Sequence, residues 1–192
     1  MQTAFGDYLK AQAALTDDEI NEIIALSLPR SLRRNELLLR TGEICRHKVF
    51  VISGLLRTFG ISAEGNEHIL QFSPENSWTL DVESYDKQIP SLMNIGAVEP
   101  STVLLWKKTD FEHLLRSIPA LKKLSEQIIA RNIYYSRHRI LTALSATPEE
   151  KYHDFVERFP DYLSRLPLRM IASYLGISLK TLTRIRQAQV HR

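Results

Sequence analysis

The strongest constraint on how this chain folds lies in one stretch near its C-terminal end, Leu168-Arg169-Met170-Ile171-Ala172-Ser173-Tyr174-Leu175-Gly176-Ile177-Ser178-Leu179-Lys180-Thr181-Leu182-Thr183-Arg184-Ile185-Arg186-Gln187. Ile171, Ala172 and Leu175 recur at the spacing of one helical face, Leu182 and Ile185 do so further on, and Gly176-Ile177-Ser178 stands between them. Two short helices that cross steeply need a small side chain where they approach most closely, and Ala172 supplies it. Gly176 can end the first helix at positive φ, where a Cβ is costly, and Ser178 can cap the second by accepting a bond from a free backbone N–H. This is a helix-turn-helix pattern. With Leu182 and Ile185 turned inward, Leu179, Lys180, Thr181, Thr183, Arg184 and Gln187 face outward, as on a recognition helix that meets the major groove and its phosphates. Arg169, Ser178 and Arg186 complete the expected DNA-contacting set.

An ordinary helical hairpin also uses alanine and glycine for close packing, and the charge distribution argues against it. Six basic residues (Arg165, Arg169, Lys180, Arg184, Arg186 and Arg192) and no acidic one follow Asp161, so the last 31 residues carry +6. Residues 1–161 hold 19 Lys+Arg against 22 Asp+Glu, a net −3 that the overall +3 conceals. A patch of this kind gathers polyanions and draws binding energy from counterion release.

At 192 residues, 44% hydrophobic and 24% charged, the chain can build a real core as one large or two small domains. No apolar run is long enough to cross a bilayer, and Met1-Gln2-Thr3-Ala4-Phe5-Gly6-Asp7 lacks the basic and apolar regions of a signal peptide, so a cytoplasmic protein is expected. Cys45 is the only cysteine, which excludes an internal disulfide and a cysteine-held iron–sulfur cluster. The six histidines (His47, His68, His113, His138, His153 and His191) show no ligand spacing, so neither a metal nor another cofactor is expected. No enzymatic constellation is present: Ser53-Gly54 has no base partner in a readable motif, and no glycine-rich phosphate loop opens a helix.

Taken in order, Phe5, Tyr8, Leu9 and Ala13 make a weak helical stripe. Thr16-Asp17-Asp18-Glu19 is a capping box that predicts a helix over about 17–27, ending before Pro29. From Arg30 to Lys108 short extended runs alternate with turns: Glu36–Arg40, Val49–Ile52, Leu55–Phe59, then Ala63-Glu64-Gly65-Asn66 as a hairpin into His68–Phe72. Leu92–Val98 and Thr102–Trp106 are expected to pair around Glu99-Pro100. So many short strands predict a small barrel or sandwich.

The 3.6 period returns at Asp110, with Phe111, Leu114, Leu115 and Ile118, and after Pro119 it continues to about Leu144. The apolar positions of this helix are too many for one face, so one side is expected against the barrel and another against a second copy. The economical solution is a parallel dimer seam, with Leu121, Leu124, Ile128 and Tyr135 assigned to the dimer helix; a helix buried wholly within one subunit is the alternative. Thr147-Pro148-Glu149-Glu150 is a second capping box that opens the terminal domain.

Small β-barrel, long helix, capped break and basic helix-turn-helix, in that order, resemble the cyclic-AMP receptor protein and fumarate-nitrate regulator family of bacterial transcription factors over essentially the whole chain. Gly42 resembles the family's barrel-turn glycine, Ser53-Gly54-Leu55-Leu56-Arg57 its strand pair, and Glu64-Gly65-Asn66-Glu67 its hairpin. Ile171–Ser178 with Thr181–Arg186 is the strongest match. The resemblance implies an α+β chain: a jelly-roll-like barrel of the cyclic-nucleotide-binding type over 1–108, a dimerisation helix over 109–146 and a DNA-binding domain over 147–192. It implies a homodimer on double-stranded DNA with recognition helices roughly 34 Å apart, RNA polymerase as a further partner, and no membrane partner. The rival reading is a small-molecule or cyclic-nucleotide sensor whose C-terminal helices bind a protein.

The effector segment departs from the family. Cyclic-nucleotide binders hold the phosphate with an arginine before a Ser/Thr-Ala and the ribose with a glutamate after glycine, and Pro90 stands here at the arginine's place. Without a guanidinium fork, and with Asp81, Glu83 and Asp86 nearby, tight binding of cyclic AMP or cyclic GMP is not expected. The pocket, with Trp78, Asp81, Glu83, Tyr85 and Ser91 as its candidate residues, takes an unidentified ligand or is a filled remnant. On the recognition helix Lys180 replaces the family's common glutamate, while Arg184 occupies the base-reading arginine position. Only five residues follow Gln187, too few for a wing hairpin, so weaker binding per subunit is expected.

Overall fold

A computed structural model describes residues 2–190; His191 and Arg192, counted above among the histidines and the basic residues, lie outside the described residues. In chain order the elements are α1 (Gln2–Gln12), α2 (Asp17–Ala25), β1 (Leu28–Leu32), β2 (Leu37–Leu39), β3 (His47–Ser53), β4 (Leu56–Ile61), β5 (Glu67–Ser73), β6 (Ser77–Thr79), α3 (Val82–Lys87), β7 (Asn94–Ala97) and β8 (Ser101–Lys107), followed by helices only: α4 (Lys108–Ser117), α5 (Pro119–Ser145), α6 (Pro148–Arg158), α7 (Tyr162–Arg165), α8 (Leu168–Leu175) and α9 (Leu179–Val190). Two compact units result among the described residues, 2–60 with 71–129, and 61–70 with 130–190.

The strands make two antiparallel sheets, ordered β1-β8-β3-β6 and β2-β7-β4-β5. β7 and β8 therefore do not pair with each other, contrary to the hairpin expected around Glu99-Pro100: β7 joins β2 and β4, and β8 joins β1 and β3. The chain changes sheets at that turn, as a sandwich requires. Gly54 is fixed by the same corner. Its φ is +90°, and a Cβ there would lie 2.3 Å from Ser101 Oγ and 2.6 Å from the Pro100 carbonyl oxygen. Any side chain at this position would force the corner apart.

The central strands β8 and β3 of the first sheet are buried on both faces, while β1 at its edge is exposed at four of its five residues. Val49 and Val51 of β3, with Leu32, Val103 and Leu105, turn toward Leu39, Leu56, Ile95 and Ala97 of the other sheet and form an aliphatic core. Phe50, between them in sequence, turns the other way with Trp78, Leu104 and Trp106 to meet Phe5, Leu9, Ile20, Ile23, Phe111 and Leu114 of the helices. Trp106 Nε1 donates to the Ile23 carbonyl at 2.7 Å, and Trp78 Nε1 to Tyr8 Oη at 3.2 Å, so both indoles are satisfied where they are buried.

Leu121, Leu124 and Ile128 complete this aromatic core, exposed by only 1%, 4% and 9%. The sequence reading assigned them to the dimer helix; they form the part of α5 that packs on the chain's own first unit, because the barrel offers an apolar surface that covers its first three turns. The apolar side chains left exposed on α5 lie further along, at Ile129, Ile133, Tyr134, Ile140, Leu141 and Leu144.

Lys48 enters the same aromatic layer from β3, its Nζ 5.7 Å from the ring centres of both Trp78 and Phe111. Burial pushes its pKa down from 10.5 to about 8. The fold thus favours the neutral amine. Protonation below pH 8 costs stability, and the cost fades as pH rises from the folded value toward that of the unfolded chain. We expect Lys48→Met to stabilise the protein by roughly 1–3 kcal/mol at pH 7 in urea melts, the gain shrinking between pH 8 and 10; a gain independent of pH would contradict the burial of the charge.

Candidate nucleic-acid interface

In the second unit, two helix starts follow from local sequence. Thr147 accepts from Glu150 N at 3.3 Å while Glu150 Oε2 accepts from Thr147 N at 2.8 Å, the reciprocal capping box opening α6. Ser178 Oγ accepts from Thr181 N at 3.0 Å and so caps α9. Gly176 ends α8 at φ 67° and ψ 34°, its N–H bonded back to the last turn. Met170, Ile171, Ala172, Tyr174 and Leu175 of α8 are buried with Leu182 and Ile185 of α9 and with Tyr152, Phe155, Tyr162 and Leu166. The sequence reading caught Ile171, Ala172 and Leu175 and missed Met170 and Tyr174, which lie on the same broad face.

Opposite that face, Arg169, Ser178, Leu179, Lys180, Thr183, Arg184 and Gln187 are exposed, while Thr181 and Arg186 are half-buried. The structure thus brings all nine expected residues onto α8, α9 and the turn between them. Thr183 Oγ1 donates to the Leu179 carbonyl at 2.9 Å, leaving its oxygen as an acceptor on the open face. Arg184 lies 3.5 Å from Glu149 of α6, with both side chains well exposed. A pair so solvated contributes little.

Tyr174 shows why α8 is held where it is. Its hydroxyl lies 2.5 Å from that of Tyr135, its ring faces the Arg139 guanidinium at 3.8 Å, and burial pushes its phenol pKa up. Arg139 also donates to the carbonyls of Tyr174, at 3.0 Å, and Leu70. Ser173 Oγ donates to the Glu67 carbonyl at 2.6 Å and accepts from Ile69 N at 3.1 Å. Residues 61–70, read from the sequence as a barrel hairpin, therefore pair with α8 through backbone groups. Tyr135, assigned to the dimer helix, is half-buried as a partner of Tyr174. No sequence period signals these bonds, since carbonyl acceptors carry no side-chain pattern.

The effector candidates separate. Trp78 belongs to the aromatic core on the other face of the sheet, because its register with Phe50 turns it away from the sandwich interior. Glu83 is exposed and pairs with Lys87 at 2.7 Å. Asp81 accepts from the Ser91 hydroxyl at 2.5 Å and caps α3. Tyr85 packs on the aliphatic core, its buried hydroxyl without a hydrogen-bond partner and its pKa pushed up by burial. Pro90 is exposed. Between the side chains of the five candidates the one hydrogen bond runs from Ser91 to Asp81, and the Tyr85 backbone N–H donates to the Asp81 carbonyl at 2.9 Å. Cys45 is buried, and burial raises its thiol pKa, which makes it a packing residue. Among the described residues, no cluster of three His, Cys, Asp or Glu fits a metal ion and no helix is long and apolar enough to cross a membrane.

Residues 29–117 match the cyclic nucleotide-binding domain family. Over 183 residues the chain is 25% identical to the transcriptional activator protein FnrA of Stutzerimonas stutzeri, covering 88% of this chain and 72% of that protein. In fold it is similar to FixK2 from Bradyrhizobium japonicum, with a TM-score of 0.74 at 19% identity, covering 86% of this chain and 84% of that one. A transcriptional regulator of the Crp/Fnr family from Eubacterium rectale superposes with a TM-score of 0.71 at 17% identity, over 92% and 85% of the two chains.

The Arg139 fork is testable. A lysine cannot reach two carbonyls and stack on a ring together, so Arg139→Lys should weaken the second unit by about 1–3 kcal/mol. Hydrogen exchange reads it out: the Ile69 amide and those of α8 should exchange faster, and unchanged protection would show that the fork contributes nothing.

Proposed function

We propose that this chain, a homologue of FnrA built on the fold of the Crp/Fnr regulators, is a dimeric, sequence-specific DNA-binding transcription regulator whose effector segment does not bind cyclic AMP tightly. The observation that carries the reading is the exposed face of α9. Lys180, Thr183, Arg184 and Gln187 lie along a helix whose other side is anchored by Leu182 and Ile185, in a stretch with no carboxylate after Asp161. Arg184 reads a guanine through its bidentate fork, exchanging the loose Glu149 contact for base acceptors, while Lys180 and Arg169 hold phosphates. FnrA is itself a transcriptional activator by name, which supports regulation rather than catalysis.

Two features argue against a bound cyclic phosphate. Its guanidinium partner is replaced by Pro90, and the Ser91 hydroxyl is already engaged by the Asp81 carboxylate. An anion placed there would have to break a charge-assisted bond and meet a negative charge in return.

Dimerisation rests on the outer part of α5. Ile129, Ile133, Ile140 and Leu144 are between 48% and 82% exposed and recur at intervals of four and seven, the pattern of a helix–helix seam. Replacing Ile133 and Ile140 together by glutamate should shift sedimentation from dimer to monomer; an unchanged oligomer would remove α5 as the seam.

Selection from a randomised duplex pool should enrich a two-fold symmetric site with half-sites about one helical turn apart. Arg184→Ala should cost roughly 1–3 kcal/mol and relax one base position per half-site, whereas Arg169→Ala should weaken all sequences alike and flatten the salt dependence. Weak, unselective binding by the parent protein would instead favour a protein partner for the C-terminal helices.

A further inference from the structure

The sandwich has an open end whose lining changes character within two residues. In the β1-β8-β3 register Val51 faces Val103, Val49 faces Leu105 and His47 faces Lys107, while Arg30 of β1 also faces Val103. Directly opposed residues share a face, and alternate residues along a strand return to it. The face that carries the aliphatic core therefore continues along β3 and β8 into His47 and Lys107, and across onto β1 into Arg30.

At that end the sheets enclose a cavity of about 560 Å³, within the roughly 300–1,000 Å³ of ordinary ligand sites. Its walls include Leu38, Leu39, Val49, Ile95 and Leu105, and Arg30, Arg46 and His47 stand at its polar edge. None of Trp78, Asp81, Glu83, Tyr85 or Ser91 lines it, but its wall is braced by the effector segment: Gly42 N donates to the Ser91 carbonyl at 2.8 Å and Cys45 N to Ser84 Oγ at 2.9 Å.

With Lys107 opposite His47, three cations stand at this edge against the carboxylates of Glu36 and Glu43. Arg30 is paired with Glu36 at 3.1 Å, and the lining carboxylate, Glu43, accepts from Arg40 N at 2.9 Å. Among the described residues Arg46 has no ion-pair partner. Burial, then Lys107, Arg30 and Arg46, holds the His47 pKa down, which marks the edge as electropositive.

We propose that this cavity binds an apolar monoanion, a carboxylate on an alkyl or aromatic body, with the body against Leu38, Leu39, Val49, Ile95 and Leu105 and the head at Arg46 and His47. The walls offer no hydroxyl or amide side chain to a sugar or a base, which favours an apolar body over a nucleotide. A single unpaired guanidinium beside Glu43 suits one negative charge better than two.

Calorimetric titration of the purified chain with decanoate, decylamine and decanol, each below its aggregation limit, tests this. Decanoate should bind one per chain and at least tenfold more tightly than decylamine. Arg46→Ala, on an exposed side chain outside the core, should weaken decanoate about tenfold and leave decanol unchanged. Leu38→Trp, which fills the cavity from a half-buried position, should abolish binding of both; amide shifts along residues 38–49 place the ligand independently of either variant. No decanoate binding, equal affinity for acid and amine, or binding that survives Leu38→Trp in a protein that still melts cooperatively would each overturn the proposal.

Discussion

The first unit depends on one sheet having two apolar faces. Along β3 the side chains of Val49, Phe50 and Val51 are all buried by 97% or more, yet they enter two different cores. Pleating sends Phe50 among aromatic rings and its neighbours among aliphatic ones, so each face demands its own cover. The second sheet covers one face. The helices α1, α2 and α4 and the opening turns of α5 cover the other. Buried indoles tie that second layer to α1 and α2 by hydrogen bonds, which fixes the helices in position as well as excluding water.

The second unit is organised differently, by polar bonds around a short helix. α8 has eight residues, too few to be stable from its own propensity. It is held by Tyr174 stacked under Arg139, by the paired phenols of Tyr174 and Tyr135, and by Ser173 bridging Glu67 and Ile69. These anchors lie on the buried side, so Lys180 and Arg184 of α9 stay exposed to solvent or a polyanion, Arg184 with only its loose Glu149 contact. Packing and exposed chemistry are thus assigned to opposite faces of the same two helices.

In the effector segment, the residues that would face a cyclic phosphate satisfy one another. Asp81 serves at once as helix cap and as acceptor for Ser91, and Ser84 ties α3 to Cys45 N at 2.9 Å. The segment is rigid through its own hydrogen bonds. The open space of the sandwich is lined by the Gly42–His47 stretch that this segment braces, with Arg30, Arg46 and His47 at its edge.

Features that depend on neighbours in sequence were legible without a structure. Both capping boxes, the glycine ending α8, the serine opening α9 and the long helix after Pro119 are all enforced by bonds or steric limits within about four residues, and local sequence determines those. Also legible was the charge asymmetry, which is a property of composition. Tertiary structure alone decided which strands pair, which face of α5 the barrel covers, and which way Trp78 points. Each of these is set by partners far away in the chain: β8 chooses β1 and β3 over adjacent β7 because only that crossing closes two faces of one sheet, and Leu121, Leu124 and Ile128 are buried because those faces leave an apolar surface for them. A period of 3.6 shows that a helix has an apolar side; it carries no information about what that side will meet.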